Sequence, residues 1–182
     1  MSNLTIKRIE TPNIDPKFDC GNYSINSKLR QDSYYMDVLQ HAYTYEIFYG
    51  KILVGYYMIS FRTISLDLLP EDLSDYCAGS SNSCTSLHLD FIAIDSKMQK
   101  HSIGTNTLRY LIANVTNNLC RVWPIRLITL EALTNKIDWY KKLGFSLFNE
   151  DNTTSSPDSP TAWMYLDCLQ DAEKLYNYIE SC

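Results

Sequence analysis

Alternating hydrophobic and polar positions open the chain. Leu4-Thr5-Ile6-Lys7-Arg8-Ile9 predicts a first strand, which Pro12 and Pro16 terminate. From Tyr23 the spacing changes: Ile25, Leu29, Tyr35, Met36 and Leu39 recur at helical intervals, with an interruption near Asp32-Ser33 and Asn22 or Ser24 as cap. Period two returns at Tyr43, Tyr45, Ile47 and Tyr49, and Gly50-Lys51 turns the chain into Ile52–Ser60, so a hairpin is expected. Leu66 to Thr85 is rich in Ser, Asp and Asn and reads as a long linker, with a short helix at Pro70 to Tyr76.

The second half is more apolar. Ser86 to Ile94 predicts a buried strand, and Leu108, Leu111, Ile112, Val115 and Leu119 form one stripe of a helix. Ile125 to Ala132 is the next strand. A short helix follows from about Lys136, with Gly144 placed to end it in a left-handed conformation. Phe145–Phe148 and Thr161–Asp167 are the last strands, separated by the polar stretch Asn149 to Pro160. Leu169, Ala172, Leu175, Tyr176 and Ile179 predict a C-terminal helix. The order β, α, ββ, β, α, β, α, β, β, α fits an α/β domain with a mixed (α+β) sheet and helices on both faces. No repeat or second domain is apparent, so one domain over 1–182 is expected, with 169–182 as a helical extension.

Composition narrows the function classes. The 182 residues are 45% hydrophobic and 20% charged, as expected of a globular protein with a sizeable core. No stretch approaches the ~18 uninterrupted apolar residues of a membrane span, and Met1 to Glu10 lacks the apolar core of a signal peptide. A cytoplasmic location without membrane association is the expectation. The net charge of −5, with no basic stripe, argues against nucleic acid as a general partner. Among Cys20, Cys77, Cys84, Cys120, Cys168 and Cys182 there is no Cys-x-x-Cys pair and no His at zinc-ligand spacing. No metal is expected and free thiols are, Cys77 and Cys84 being the one pair close enough in sequence to join in an oxidising preparation.

The candidate chemistry centres on Gln99-Lys100-His101-Ser102-Ile103-Gly104-Thr105, between an apolar strand and the striped helix. A helix start of this kind turns several main-chain N–H groups toward one point, and the helix dipole adds to their pull on an anion such as a phosphate. Ser102 and Gly104 have small side chains, which lets a ligand approach the main chain. The run resembles the acyl-CoA pyrophosphate loop of the GNAT superfamily of N-acyltransferases, Gln/Arg-x-x-Gly-x-Gly/Ala. Gln99 and Gly104 match it, and Ser102 stands where the first glycine is usual.

A second segment, Ala132 to Phe145, is similar to that family's Asn…(aromatic)-Tyr-x-x-x-Gly-Phe element. The resemblance runs from about Ile6 to Leu166 and implies a single GNAT-type domain with a central, twisted, mostly antiparallel sheet. It implies acetyl-CoA as co-substrate and a primary amine as acceptor. Phe91, Ile92, Ala93 and Ile94 would run beside the pantetheine arm, with main-chain groups of Ile92 and Ile94 on its amides and an N–H near Ile92 on the thioester oxygen. Gln99 to Thr105 would hold the pyrophosphate, and Asn135 would contact the cofactor. Tyr140 would protonate the departing thiolate, since a phenol near ~10 and a thiol near ~8.5 are not far apart.

His88 and Asp90 share a face if alternation holds, and a strand aspartate calls for an explanation. Asp90 is therefore the candidate base, with Glu131 as rival. Phe18-Asp19-Cys20-Gly21-Asn22, leading into Leu29-Arg30, is similar to the opening of GNAT-type toxins that acetylate aminoacyl-tRNA, so charged tRNA is the one nucleic-acid partner kept as an alternative. The other is a non-catalytic acyl-CoA-binding module. Monomer and homodimer both remain open.

Overall fold

The computed structural model describes residues 4–65, 67, 82–148, 153–154 and 161–169. Strand β1 is Leu4–Arg8, followed by helices α1 (Tyr23–Gln31) and α2 (Ser33–Val38). Asn22 caps α1 by accepting from the Ile25 N–H, and the break falls at Asp32, as the spacing indicates. Strands β2 (Tyr43–Tyr49), β3 (Ile52–Ser65) and β4 (Ser83–Ile94) come next. Then follow α3 (Ile103–Asn117), β5 (Leu127–Leu133), α4 (Ile137–Lys141), β6 (Ser146–Leu147), β7 (Thr153–Thr154) and β8 (Thr161–Asp167).

Two boundaries move. β3 runs to Ser65 and β4 starts at Ser83, because Phe61–Ser65 and Ser83–Leu87 pair with each other and extend the ladder into what reads as linker. Leu119 leaves the helical stripe and sits in a separate 3-10 turn, Leu119–Arg121. Thr153–Thr154, inside the predicted polar stretch, pairs with β8. The predicted helices at Pro70 to Tyr76 and along the C-terminal tail from residue 170, and Cys77, lie outside the described residues. No helix among the described residues is long and apolar enough to cross a membrane.

The strands form one sheet in the order β1-β2-β3-β4-β5-β8-β6, with β7 also on β8. Every neighbouring pair is antiparallel except β4–β5. One face carries Leu87, Leu89, Ile128, Leu130 and Met164 against Ile103, Leu108, Leu111 and Val115 of α3. On the other face Tyr56, Met58, Phe91 and Ala93 pack on Leu29 of α1, with Phe18 edge-on to Tyr56.

Two irregularities in the sheet set up the site. The parallel β4–β5 pairing ends at Leu89↔Leu130, and beyond it the strands part into a fork. On the other edge of β4 the register jumps from Ile59↔Leu89 to Met58↔Phe91, which leaves Asp90 as the extra residue of a β-bulge. The bulge reverses the alternation: Leu89 and Phe91 point to opposite faces. Gly55 makes the close approach opposite Ile94 possible, since a Cβ there would lie 2.4 Å from the Ala93 carbonyl oxygen.

Candidate functional site at the strand fork

The loop after β4 delivers an open helix start. Asp95 accepts from the Lys97 N–H (3.0 Å) and begins a short 3-10 turn. Lys100 (φ 65) and Ser102 (φ 59) then adopt the left-handed conformation, swinging the chain into α3. The first intrahelical bond of α3 runs from the Asn106 N–H to the Ser102 carbonyl at 2.9 Å. Ahead of it the N–H groups of Ile103, Gly104 and Thr105 have no acceptor among the described residues, and the Ser102 hydroxyl does not cap them. A serine in the extended conformation usual for a cap would satisfy one of these donors; in the left-handed conformation it does not. The helix is thus left with its donors available to an anion.

Gln99 is placed differently from the expectation. Its Nε2 donates to the carbonyls of Cys20 (2.9 Å) and Ile94 (3.0 Å), so the side chain ties the loop to β4 and to the segment before α1. Through Nε2 it shapes the loop. The Ile94 carbonyl is correspondingly occupied. The N–H of Asp95 and the carbonyl of Ala93 are directed toward β3. By backbone alternation the N–H groups of Ile92 and Ile94 and the carbonyl of Ile92 face the fork. Phe91 and Ala93 are in β4 as expected, but the bulge sends their side chains into the core under α1, away from the α3 side. His101 and Lys100 are exposed beside the loop, and Asn135 is exposed in the turn Thr134–Lys136.

Tyr140 lies on the α3 side of the sheet, 8% exposed, in the same core as Ile103 and Ala132. Its ring packs on Trp139 (4.6 Å between centroids) and Phe145 (5.7 Å). Burial pushes the phenol well above its ordinary value of 10.0. The match to a thiol is therefore looser than free phenol suggests, and the group is a firmly protonated hydrogen-bond donor. Trp139, which the sequence reading passed over, donates from Nε1 to the Thr105 hydroxyl at 3.0 Å and so fastens α4 to the first turn of α3.

Asp90 lies on the opposite side, facing α1. Its side chain is 7% exposed; Oδ1 is 3.2 Å from Arg62 Nη2 and 3.8 Å from Lys28 Nζ, while Oδ2 is buried without a hydrogen-bond partner among the described residues. His88 shares that face, as alternation predicts. Its Nδ1 meets the Thr129 hydroxyl at 3.0 Å, Ser86 meets the same hydroxyl at 3.2 Å, and the imidazole packs on Trp163 at 5.3 Å. Burial first, then Arg62, lowers the His88 pKa from 6.5 to about 4. Glu131, one residue past the last β4–β5 pair on β5, is exposed on this face opposite Trp163. Lys28, Arg62 and Trp163 were not singled out from the sequence. An arginine within an apolar strand was the available signal.

No protein-family model and no curated protein matches this chain. Solved structures do match along its length. A structure described as a bacterial toxin is 17% identical at a TM-score of 0.77, covering 97% of each chain. A tyrosine-to-phenylalanine mutant of KacT is 21% identical at 0.76, over 91% of this chain and 95% of that one. AtaT complexed with acetyl-methionyl-tRNAfMet is 20% identical at 0.74, over 95% and 99%. The chain has the GNAT fold. The fork between β4 and β5 has the bare start of α3 and Tyr140 on one side of the sheet and Asp90 on the other.

Proposed function

We propose that this chain is an acetyl-CoA-dependent N-acetyltransferase that transfers the acetyl group directly to a primary amine. The observation that carries the reading is the uncapped start of α3 beside the fork. Three main-chain donors and a helix dipole converge there on a point where no group among the described residues answers them. The diphosphate of acetyl-CoA supplies the matching charge, and the gap-facing groups of Ile92 and Ile94 can pair with the pantetheine amides as an added strand would.

The chemistry follows from the two faces. A neutral amine attacks the thioester carbon, the carbon–sulfur bond breaks, and the amine's proton leaves to a base. The Ile92 N–H stabilises the developing oxyanion; losing a comparable donor costs about 3 kcal/mol in other enzymes. Tyr140 donates to the departing sulfur. Asp90 receives the amine's proton directly or through water, with Glu131 across the fork as the rival. Asp90 is paired with two cations, Lys28 and Arg62, and an α-amine is the acceptor that asks least of any base. At neutral pH an α-amine gives up its proton for about 1 kcal/mol, a lysine-type amine for about 4.6 kcal/mol.

The reading treats 1–182 as a single domain with a cytoplasmic location, acting as monomer or homodimer. Thermal unfolding with and without acetyl-CoA tests it first, with a stabilisation of about 2.7 kcal/mol expected at 100 times the dissociation constant. Thiol release is then followed with polyamines, amino acids, peptides and charged tRNA. No shift at millimolar acetyl-CoA ends the proposal.

A narrower reading is favoured by the neighbours, which include AtaT with acetyl-methionyl-tRNAfMet and AtaT bound to the C-terminus of the antitoxin AtaR and acetyl-CoA. It makes this chain a toxin acetylating the α-amine of aminoacyl-tRNA. The net charge of −5 weighs against it, and charged tRNA in the acceptor panel decides.

A further inference from the structure

Asp90 carries more than a candidate base requires. Its Oδ2 is buried and has no hydrogen-bond partner among the described residues. Its Oδ1 is held by two cations from different elements, Lys28 of α1 and Arg62 of β3, whose side chains remain 42% and 38% exposed. The carboxylate is thus sunk at the fork while the cations stand at its mouth. With the exposed Glu131 of β5 on the same face, these charges balance, so selection rests on where Lys28 and Arg62 stand rather than on net charge. The Arg62 guanidinium lies over the Trp163 ring at 5.7 Å, which fixes one wall of the opening.

We propose that Lys28 and Arg62 determine acceptor specificity, admitting amines that carry a carboxylate or carbonyl oxygen beside the nitrogen and rejecting multiply cationic amines. The inference rests on the acetyltransferase reading and names the substrate class of that same site. The neighbouring oxygen accepts from the two cations, releasing Asp90 Oδ1 from part of their hold so that it can accept from the amine's N–H. A diamine brings a second ammonium beside Lys28 and Arg62 and offers no oxygen to either. Its exclusion comes from repulsion as much as from missing attraction.

The test uses the full chain with acetyl-CoA and follows thiol release with three acceptors: a free α-amino acid, its methyl ester, and 1,4-diaminobutane. With kcat/KM expressed per unprotonated amine, so that the acceptors' own pKa values cancel, the wild type is expected to favour the two α-amino acceptors by at least about tenfold. Which of the two is better separates a carboxylate from an ester as the recognised oxygen. Lys28→Met and Arg62→Met should each shrink the preference about tenfold through KM rather than kcat, Arg62→Lys should retain it, and Lys28→Glu should reverse it. Thermal unfolding of each variant, with and without acetyl-CoA, confirms that it folds and binds. A wild type that prefers the diamine, or a preference indifferent to the Lys28 and Arg62 substitutions while acetyl transfer proceeds, overturns this inference alone. Absence of acetyl-CoA binding by the wild type overturns the acetyltransferase reading, and this inference with it.

Discussion

Lowering the pH should destabilise this protein through His88. The imidazole is 2% exposed, on the face shared with Asp90, Arg62 and Lys28, and its pKa falls from 6.5 to about 4 in the folded chain. A base with a depressed folded pKa binds its proton more readily when unfolded. Stability is therefore complete above pH 6.5 and is lost as pH falls toward 4. The loss is on the order of 1 kcal/mol near about pH 5.5 and grows further toward about pH 4.5. Urea unfolding across that range measures it, but carboxylates titrate there too. The decisive quantity is the difference between wild type and His88→Gln, which keeps a hydrogen-bonding group for the Thr129 hydroxyl and cannot be protonated. The variant should be less stable near neutrality and should lose its deficit as pH falls, the two curves converging. Parallel curves would mean that His88 is as easily protonated folded as unfolded, and the neutral imidazole beside Asp90 would have to be abandoned.

Three further outcomes are expected. Tyr140→Phe should lower kcat for acetyl transfer about 10²-fold or more while leaving acetyl-CoA affinity and unfolding temperature nearly unchanged, as single-turnover thiol release and calorimetry would register. Gly55→Ala should destabilise the fold by about 2–3 kcal/mol in urea titration, because its Cβ would meet the Ala93 carbonyl oxygen at 2.4 Å. Asn22→Ala should cost about 1 kcal/mol by removing the α1 cap; an unchanged urea midpoint would show that the bond to the Ile25 N–H is dispensable.

Much of this architecture is visible in residue spacing. Helices α1 and α3 and strands β2 and β8 follow from periodicity, because each buries one stripe and exposes the other. The helix start after Gln99–Ser102 was readable because a strand, a polar turn and a helical stripe suffice to predict main-chain amides gathered at one end. The Asp90 bulge was not readable. Residues Phe91 to Ile94 are apolar on both faces, so nothing in the pattern marks where alternation reverses. Gln99 shows the limit of a motif match: the residue is where the pattern puts it, yet its carboxamide holds main-chain carbonyls. Lys28 and Arg62 are brought to Asp90 by the packing of α1 and the β3–β4 register, two long-range facts that no local window contains.

The fork has a consequence for how inhibitors of this fold should be shaped. On the function proposed above, donor and acceptor approach from opposite sides of a single layer of strands, so neither blocks the other's doorway and either can arrive first. A compound joining both must thread that layer, its nucleotide anchored over α3 and its nitrogen end emerging beneath α1. The linker's length is then dictated by the thickness of one sheet.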